Sequence, residues 1–196
     1  MLWMIGMFGC LLFEAGSIDL PLCLGCDTAE PEVDGLLNSS FEWSDDVPEG
    51  WSVWPNEEHL SISSEFALEG EHSLRFQTPN NGHSQNIWVS QSFPAQSGDY
   101  FRFEAHVLHT AEAPLPDGEK LRLGLWFKDH EIRLDEYRSL SINSTSETGV
   151  WQHLVVRGPA PVDTREVLAV LEFSGCNQAC SQLGAVYVDQ TSLEYP

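Results

Sequence analysis

Two tryptophans carry the clearest chemical signal in this sequence. Trp88 alternates out of phase with Ile87 and Val89, and Trp126 does so with Leu125 and Phe127. Side chains of a strand point alternately to its two faces, so each ring is expected opposite an apolar set. An indole held outside the core offers a flat apolar surface with one polar edge. The same alternation exposes Arg102, Glu104, His106, Arg122 and Glu172, which are expected to surround the rings as hydrogen-bonding partners. Tyr137 and Arg138, after the segment KDHEIRLDEYR, are expected to form one rim. The competing structural reading puts one or both tryptophans under a loop as secondary core.

Catalytic constellations are harder to find. Adjacent Glu57 and Glu58 would face different ways on a strand, while Glu104 and Glu172 are able to share a sheet face. No Gly-x-Ser-x-Gly turn occurs to present a nucleophile. His106 and His109 would fall on opposite faces of a strand, a spacing that does not make a metal pair. The expectation is a protein that is not an enzyme.

The elements that must position these residues are all strands. Phe101, Phe103, Ala105 and Val107 share one face over 100–108, with Arg102, Glu104 and His106 on the other. Leu121, Leu123, Leu125 and Phe127 do the same over 121–128, and Val167, Ala169, Leu171 and Phe173 over 166–173. Further strands are expected at 59–63, 72–77, 86–93, 132–134, 138–142, 151–157 and 185–194. The segments between carry turn chemistry, such as PNNG at 79–82 and QSGD at 96–99. No stretch keeps helical period for long. The fold class is therefore all-β, a sandwich of two antiparallel sheets. Trp51, after Gly50, and Trp151, at a strand start, read as core anchors, and Gly70 as a tight-turn residue.

Composition sets the partners. With 196 residues, 42% of them hydrophobic and 11% aromatic, the chain has the material for one core despite its formal charge of -21. So acidic a surface repels a phosphate backbone, which excludes nucleic acid, and it disfavours anionic membranes and acidic polymers. Neutral ligands, cations and basic partners remain, and the excess carboxylates suit a soluble monomer. The charge is uneven: all 9 Lys and Arg lie after residue 74, and half of the 30 acids lie before it.

Residues 1–26 read as a leader, 27–36 (DTAEPEVDGL) as an exposed tether and 37–196 as the sandwich domain. The apolar run MLWMIGMFGCLLF is too short to span a membrane and is interrupted by Glu14 and Asp19. Leu22-Cys23-Leu24-Gly25-Cys26 resembles a bacterial lipoprotein cleavage site, with Cys26 in the lipidated position and Cys23 a departure from the pattern. That resemblance implies a secreted or cell-envelope protein whose contact with a membrane is a lipid anchor. Cleavage there leaves Cys176 and Cys180 as an even pair, read as a disulfide closing the small loop CNQAC.

A run of landmarks names a family. NSSFE (38–42), Gly50-Trp51, ALEGEHSL (67–74), VSQSF (89–93), Gly98-Asp99-Tyr100, Gly149-Val150-Trp151-Gln152 and VYVDQTSLE (186–194) follow one another in order. Together they resemble the jelly-roll, galactose-binding-like carbohydrate-binding modules of families four, nine and twenty-two. The resemblance implies that Trp88 and Trp126 form a platform for a polysaccharide or oligosaccharide, Trp88 lying near a stacking position of the family. It also implies a structural calcium ion held by Glu42, the Ser40 carbonyl, main-chain oxygens around residues 69–72, and Asp189. The alternatives are a structural or protein-interaction domain that has lost sugar binding and, less favoured, a glycoside hydrolase or lyase.

Overall fold

The computed structural model describes residues 35–43, 47–55, 57–78, 86–175 and 184–195. The leader with Cys26, nearly all of the tether, the PNNG turn and the Cys176–Cys180 pair lie outside the described residues. Within them are ten strands: β1 (Ser52–Trp54), β2 (Leu60–Ser63), β3 (Ser73–Gln77), β4 (Asn86–Pro94), β5 (Tyr100–His109), β6 (Lys120–Asp129), β7 (Ile132–Asn143), β8 (Trp151–Pro159), β9 (Glu166–Ser174) and β10 (Ala185–Glu194). They pair antiparallel into a first sheet, β1-β4-β9-β6-β7, and a second, β2-β3-β10-β5-β8. The all-β two-sheet expectation holds. Among the described residues no helix is long and apolar enough to cross a membrane.

The core forms where the alternation puts it. Ile87, Val89, Leu121, Leu123, Leu125, Phe127, Val167, Ala169, Leu171 and Phe173 of the first sheet are fully buried. They meet Leu74, Phe76, Phe101, Phe103, Ala105, Val107, Val186 and Val188 of the second. Rings interlock across the two layers: Phe76 stacks on Phe173 at 5.7 Å, and Phe101 tilts against Phe127 at 5.8 Å. Each such side chain contributes roughly 1.5–3 kcal/mol by leaving water, and these contacts bind the sheets face to face.

Trp51 is a core anchor, as expected. It is buried against Phe41 with ring centroids 5.6 Å apart, and its indole N–H donates to the Asn38 carbonyl at 3.3 Å. Trp151 is not in that core. It is half-buried and packs with Leu108, Tyr187 and Phe66 in a small cluster on the outer face of the second sheet. Leu36, assigned to the tether, is buried in the main core instead. The strands expected at 132–134 and 138–142 are one strand, β7, whose pairing with β6 slips twice, between Arg122 and Gly124 and between Phe127 and Lys128.

Those slips explain a second correction. Each bulge inserts a residue and re-aims the side chains around it. Tyr137 pairs with Leu125 and points inward, edge-on to Phe127 at 5.8 Å, with its ring under Gly158. A Cβ at position 158 would come within 2.8 Å of that ring. Tyr137 is therefore part of the sandwich interior and not a rim.

Candidate ligand-binding face

The outer face of the first sheet collects aromatic and charged side chains across its five strands. Trp88 on β4 and Trp126 on β6 are both there and lie side by side, edge to face, with centroids 5.6 Å apart. Neither ring is a bare platform. Trp54 on β1, the register partner of Trp88, stacks on it at 4.7 Å and 20°. The Arg133 guanidinium lies over Trp126 at 4.3 Å from the ring centre, a cation–π contact. The widely exposed indole is Trp54, at 64%.

Beneath the indoles lies a small secondary core. Val170 on β9 faces outward between Ser90 and Gly124, yet it is fully buried. Trp126 reaches over Gly124 beside it. Gly124 makes this possible, because a Cβ there would come within 2.9 Å of Trp126 Nε1 and 3.7 Å of Val170 Cβ. Both Trp88 Nε1 and Trp126 Nε1 are buried and without an acceptor among the described residues. These two rings thus act through apolar surface, and hydrogen bonding on this face falls to the charged groups beside them.

Those groups form a ladder of alternating charge. Arg122 donates to Glu172 through Nε and Nη2, at 2.9 and 2.7 Å. Arg138 Nε lies 3.3 Å from the same carboxylate, and its Nη1 is 2.5 Å from Glu136. Arg133 Nη1 closes the series on Glu136 at 2.7 Å. The order Arg122–Glu172–Arg138–Glu136–Arg133 begins and ends on a guanidinium. Burial pushes the Glu172 carboxyl up, but the hydrogen bonds and charge of Arg122, with those of Arg138, pull it below the ordinary carboxylate value. Arg122, Arg138 and Glu172 therefore stand with the tryptophans, as expected, while Trp54, Arg133 and Glu136 join them unforeseen. Three-residue β1 is too short to show alternation, which hid Trp54.

Arg102, Glu104 and His106 are elsewhere. They sit on β5, on the outer face of the second sheet, with the whole sandwich between them and the indoles. There Glu104 is held by Arg102 and His153, and His106 stacks on His153 at 4.8 Å. Glu104 and Glu172 accordingly do not share a face, and no two-carboxylate site joins them. His109 is fully buried on the opposite side of β5 from His106 and accepts the Leu115 N–H at 2.8 Å.

The residues assigned to a cation do converge. Glu42, from the start of the domain, and Asp189, on β10, both reach the turn 68–72. Glu71 and His72 donate backbone N–H to Glu42 Oε1 at 3.1 and 3.0 Å, and His72 Nδ1 is 3.1 Å from Oε2. Leu68 and Glu69 donate to Asp189 Oδ2 at 2.7 and 3.2 Å, and Gln190 donates to Oδ1 at 2.7 Å. Gly70, with φ +73°, is the turn residue expected, and a Cβ on it would strike the Glu42 carboxylate. Asp189 is fully buried, and desolvation pushes its carboxyl up; backbone N–H groups oppose this and the Glu42 charge adds to it. A divalent cation would relieve that situation. Glu42 Oε2 and Asp189 Oδ1 each accept one hydrogen bond and keep a lone pair, two of the six to eight oxygens that calcium takes. Among the described residues no third acidic or imidazole ligand joins them. The remaining ligands would be main-chain oxygens; Ser40 lines a depression with Glu69 and Gln190, but neither Glu42 nor Asp189 lines it.

No protein-family model matches the sequence, and no curated protein matches it. Solved structures do share the architecture. A family 61 carbohydrate-binding module in complex with β-1,4-galactotriose aligns with TM-score 0.54 at 17% identity, over 82% of this chain and 98% of that one. The CBM22-1 and GH10 modules of the Clostridium thermocellum xylanase 10B, complexed with xylohexaose, align with TM-score 0.54 at 13% identity, over 81% and 28%. A cyclase from Fischerella sp. TAU, in complex with 4-(1H-indol-3-yl)butan-2-one, gives TM-score 0.54 at 12% identity, over 82% and 96%. Likeness at such identities is likeness of fold. The chain is an all-β sandwich of two antiparallel five-stranded sheets, the architecture that carbohydrate-binding modules adopt.

Proposed function

We propose that this domain binds a glycan chain, without cleaving it, on the outer face of its first sheet. The observation that carries the reading is the exposed Trp54 ring stacked on Trp88, with the Arg–Glu ladder alongside. An indole supplies the flat apolar surface that a sugar's C–H face needs, and charged side chains supply donors and acceptors for its hydroxyls. Five strands span roughly 19 Å, enough for a chain to lie across several of them. The complexes of the family 61 and family 22 modules with oligosaccharides support the same use of the fold.

The fold also serves a cyclase, and architecture does not dictate chemistry. Here the local electrostatics favour binding. Glycoside cleavage requires a protonated carboxyl beside an ionised one. Glu172 is held ionised by two guanidiniums, and Glu136 is shared between two more contacts of the same kind. A glycan array, read with the wild-type chain and Trp54→Ala, tests the proposal. Hits that disappear in the variant support it; silence across the array shifts the function to a protein-interaction surface, and hits indifferent to Trp54 put the sugar site away from that ring. Release of reducing ends would mark an enzyme.

The proposal extends to the domain's setting. The leader supports export and tethering through Cys26, the Cys176–Cys180 pair a disulfide, and the acidic surface a monomer. We place a structural calcium ion at Glu42, Asp189 and the main chain of the 68–72 turn. Calcium that binds only the folded state stabilises it by mass action, by about 2.7 kcal/mol at a hundredfold excess over Kd. The expected result is a melting temperature several degrees lower in EDTA than in calcium, restored by adding the ion back. An unchanged midpoint removes the metal.

A further inference from the structure

The cations of this acidic protein are not scattered. Of its 9 Lys and Arg, Lys120, Arg122, Lys128, Arg133 and Arg138 all lie on β6 and β7. Register places all five on the outer face of the first sheet, the face of the three tryptophans. Lys120, Arg122 and Lys128 share the parity of Trp126, Arg138 pairs with Gly124, and Arg133 pairs with Lys128. The carboxylates of that face are Glu136, Glu166 and Glu172. Beside them the exposed Asp135 lines the same depression as Arg133 and Glu136, so five positive groups meet four negative ones, which still leaves a local positive excess in a chain whose formal charge is -21.

The arrangement of these groups adds direction. The ladder Arg122–Glu172–Arg138–Glu136–Arg133 has one more guanidinium than carboxylate, and the surplus lies at its ends. Arg122 is the covered end, its side chain 18% exposed; Arg133 is the open end, at 46%. Arg133 also lies over the Trp126 ring, beside the Trp88–Trp54 stack. A guanidinium placed in this way presents its remaining N–H groups to whatever lies on the aromatic row. The buried indole N–H groups of Trp88 and Trp126 cannot compete for that role.

We propose that the glycan bound here carries carboxylate groups, and that Arg133, with Arg138 behind it, receives one of them. This deepens the glycan-binding reading of the same face and rests on it. A planar carboxylate matches the guanidinium fork, and charge-assisted hydrogen bonds are roughly twice as strong as neutral ones. The acidic overall charge, which argues against acidic polymers for the surface as a whole, acts weakly at this contact. Salt screens charges beyond about 8 Å at physiological ionic strength, whereas Arg133 meets its ligand directly. The aromatic row supplies the sugar-ring contact, and the open guanidinium selects the uronate.

The test uses matched probes on the full chain. Oligogalacturonate, oligomannuronate and oligoglucuronate are each compared by calorimetry with their carboxyl-reduced, uncharged counterparts. At least one carboxylated oligosaccharide is expected to bind about tenfold more tightly than its neutral partner, and Arg133→Gln to remove that preference. Equal affinity for both members of every pair overturns the proposal, and so does a preference that survives Arg133→Gln. Binding to neutral oligosaccharides alone overturns it while the glycan-binding reading stands. Absence of binding to all of them, with a silent glycan array, removes both. Circular dichroism of the variant confirms that its fold is retained.

Discussion

Replacing Arg122 with methionine is expected to lower the free energy of unfolding by about 3 kcal/mol, the low end for breaking a buried ion pair. Glu172 is 7% exposed at its side chain and Arg122 18%, so both charges are largely out of water. The bidentate contact at 2.9 and 2.7 Å is what compensates their desolvation. Without Arg122 the carboxylate keeps only Arg138 Nε at 3.3 Å, which is why the low end is expected and not the high one. Urea unfolding at neutral pH measures it. The double substitution Arg122→Met with Glu172→Leu should recover most of the loss, because no charge is left unpaired. Acid supplies an independent check. The folded Glu172 carboxyl lies below the ordinary carboxylate value that it has in the unfolded chain, so the pair's contribution is fully present above that ordinary value. It is lost as pH falls through the folded value, where the unfolded chain binds more protons. Arg122→Met removes the cause of that depression, so the variant's deficit should shrink on acidification. A deficit independent of pH would mean that packing, not charge, is what Arg122 contributes.

The parts of this molecule that were legible in the sequence are those governed by a period of two. The apolar residues of β5, β6 and β9 alternate because one side of each strand meets the opposite sheet, and the same parity put Trp88 and Trp126 outside the main core. Parity states which side of a strand a residue occupies; it does not state which of two sheets the strand joins. Arg102, Glu104 and His106 were outward as expected, yet outward on the second sheet, because β5 pairs with β10 and β8. Tyr137 failed for a different reason. Two slips between β6 and β7 reset the alternation, and a bulge leaves no mark in a sequence that already mixes charged and apolar residues. Leu36 joined the core because its segment folds back onto β4, where Leu37 N–H donates to Gln91 Oε1 at 2.9 Å and the Leu37 carbonyl accepts from Gln91 Nε2 at 2.6 Å. Contacts at such separation along the chain follow from the completed fold, not from local composition. The covering of Trp126 by Arg133 and of Trp88 by Trp54 belongs to the same class, and it changes which ring a ligand meets.

That change yields the second large effect. Trp54→Ala is expected to weaken glycan binding by about 30-fold, the roughly 2 kcal/mol typical of an aromatic anchor, while moving stability little. Trp54 lies on a three-residue edge strand and its ring is mostly in water, so its removal opens no cavity. Trp88→Ala should weaken binding as well, because it removes the surface on which Trp54 rests, but it should also destabilise the fold. Trp126→Ala should chiefly destabilise. Its ring reaches over Gly124 beside Val170, and a buried aromatic truncated to alanine costs about 3 kcal/mol or more in a full core, less at this half-covered site. Affinity electrophoresis and thermal melts on the three variants separate these roles. The discriminating quantity is the ratio of affinity lost to stability lost, which should fall from Trp54 through Trp88 to Trp126. If the ratio rises in that order, the ligand meets Trp126 after displacing Arg133, and the guanidinium is a cover for the site and not its acceptor of charge. If all three leave affinity intact, the aromatic row is structural, and the outer face of the first sheet holds no sugar.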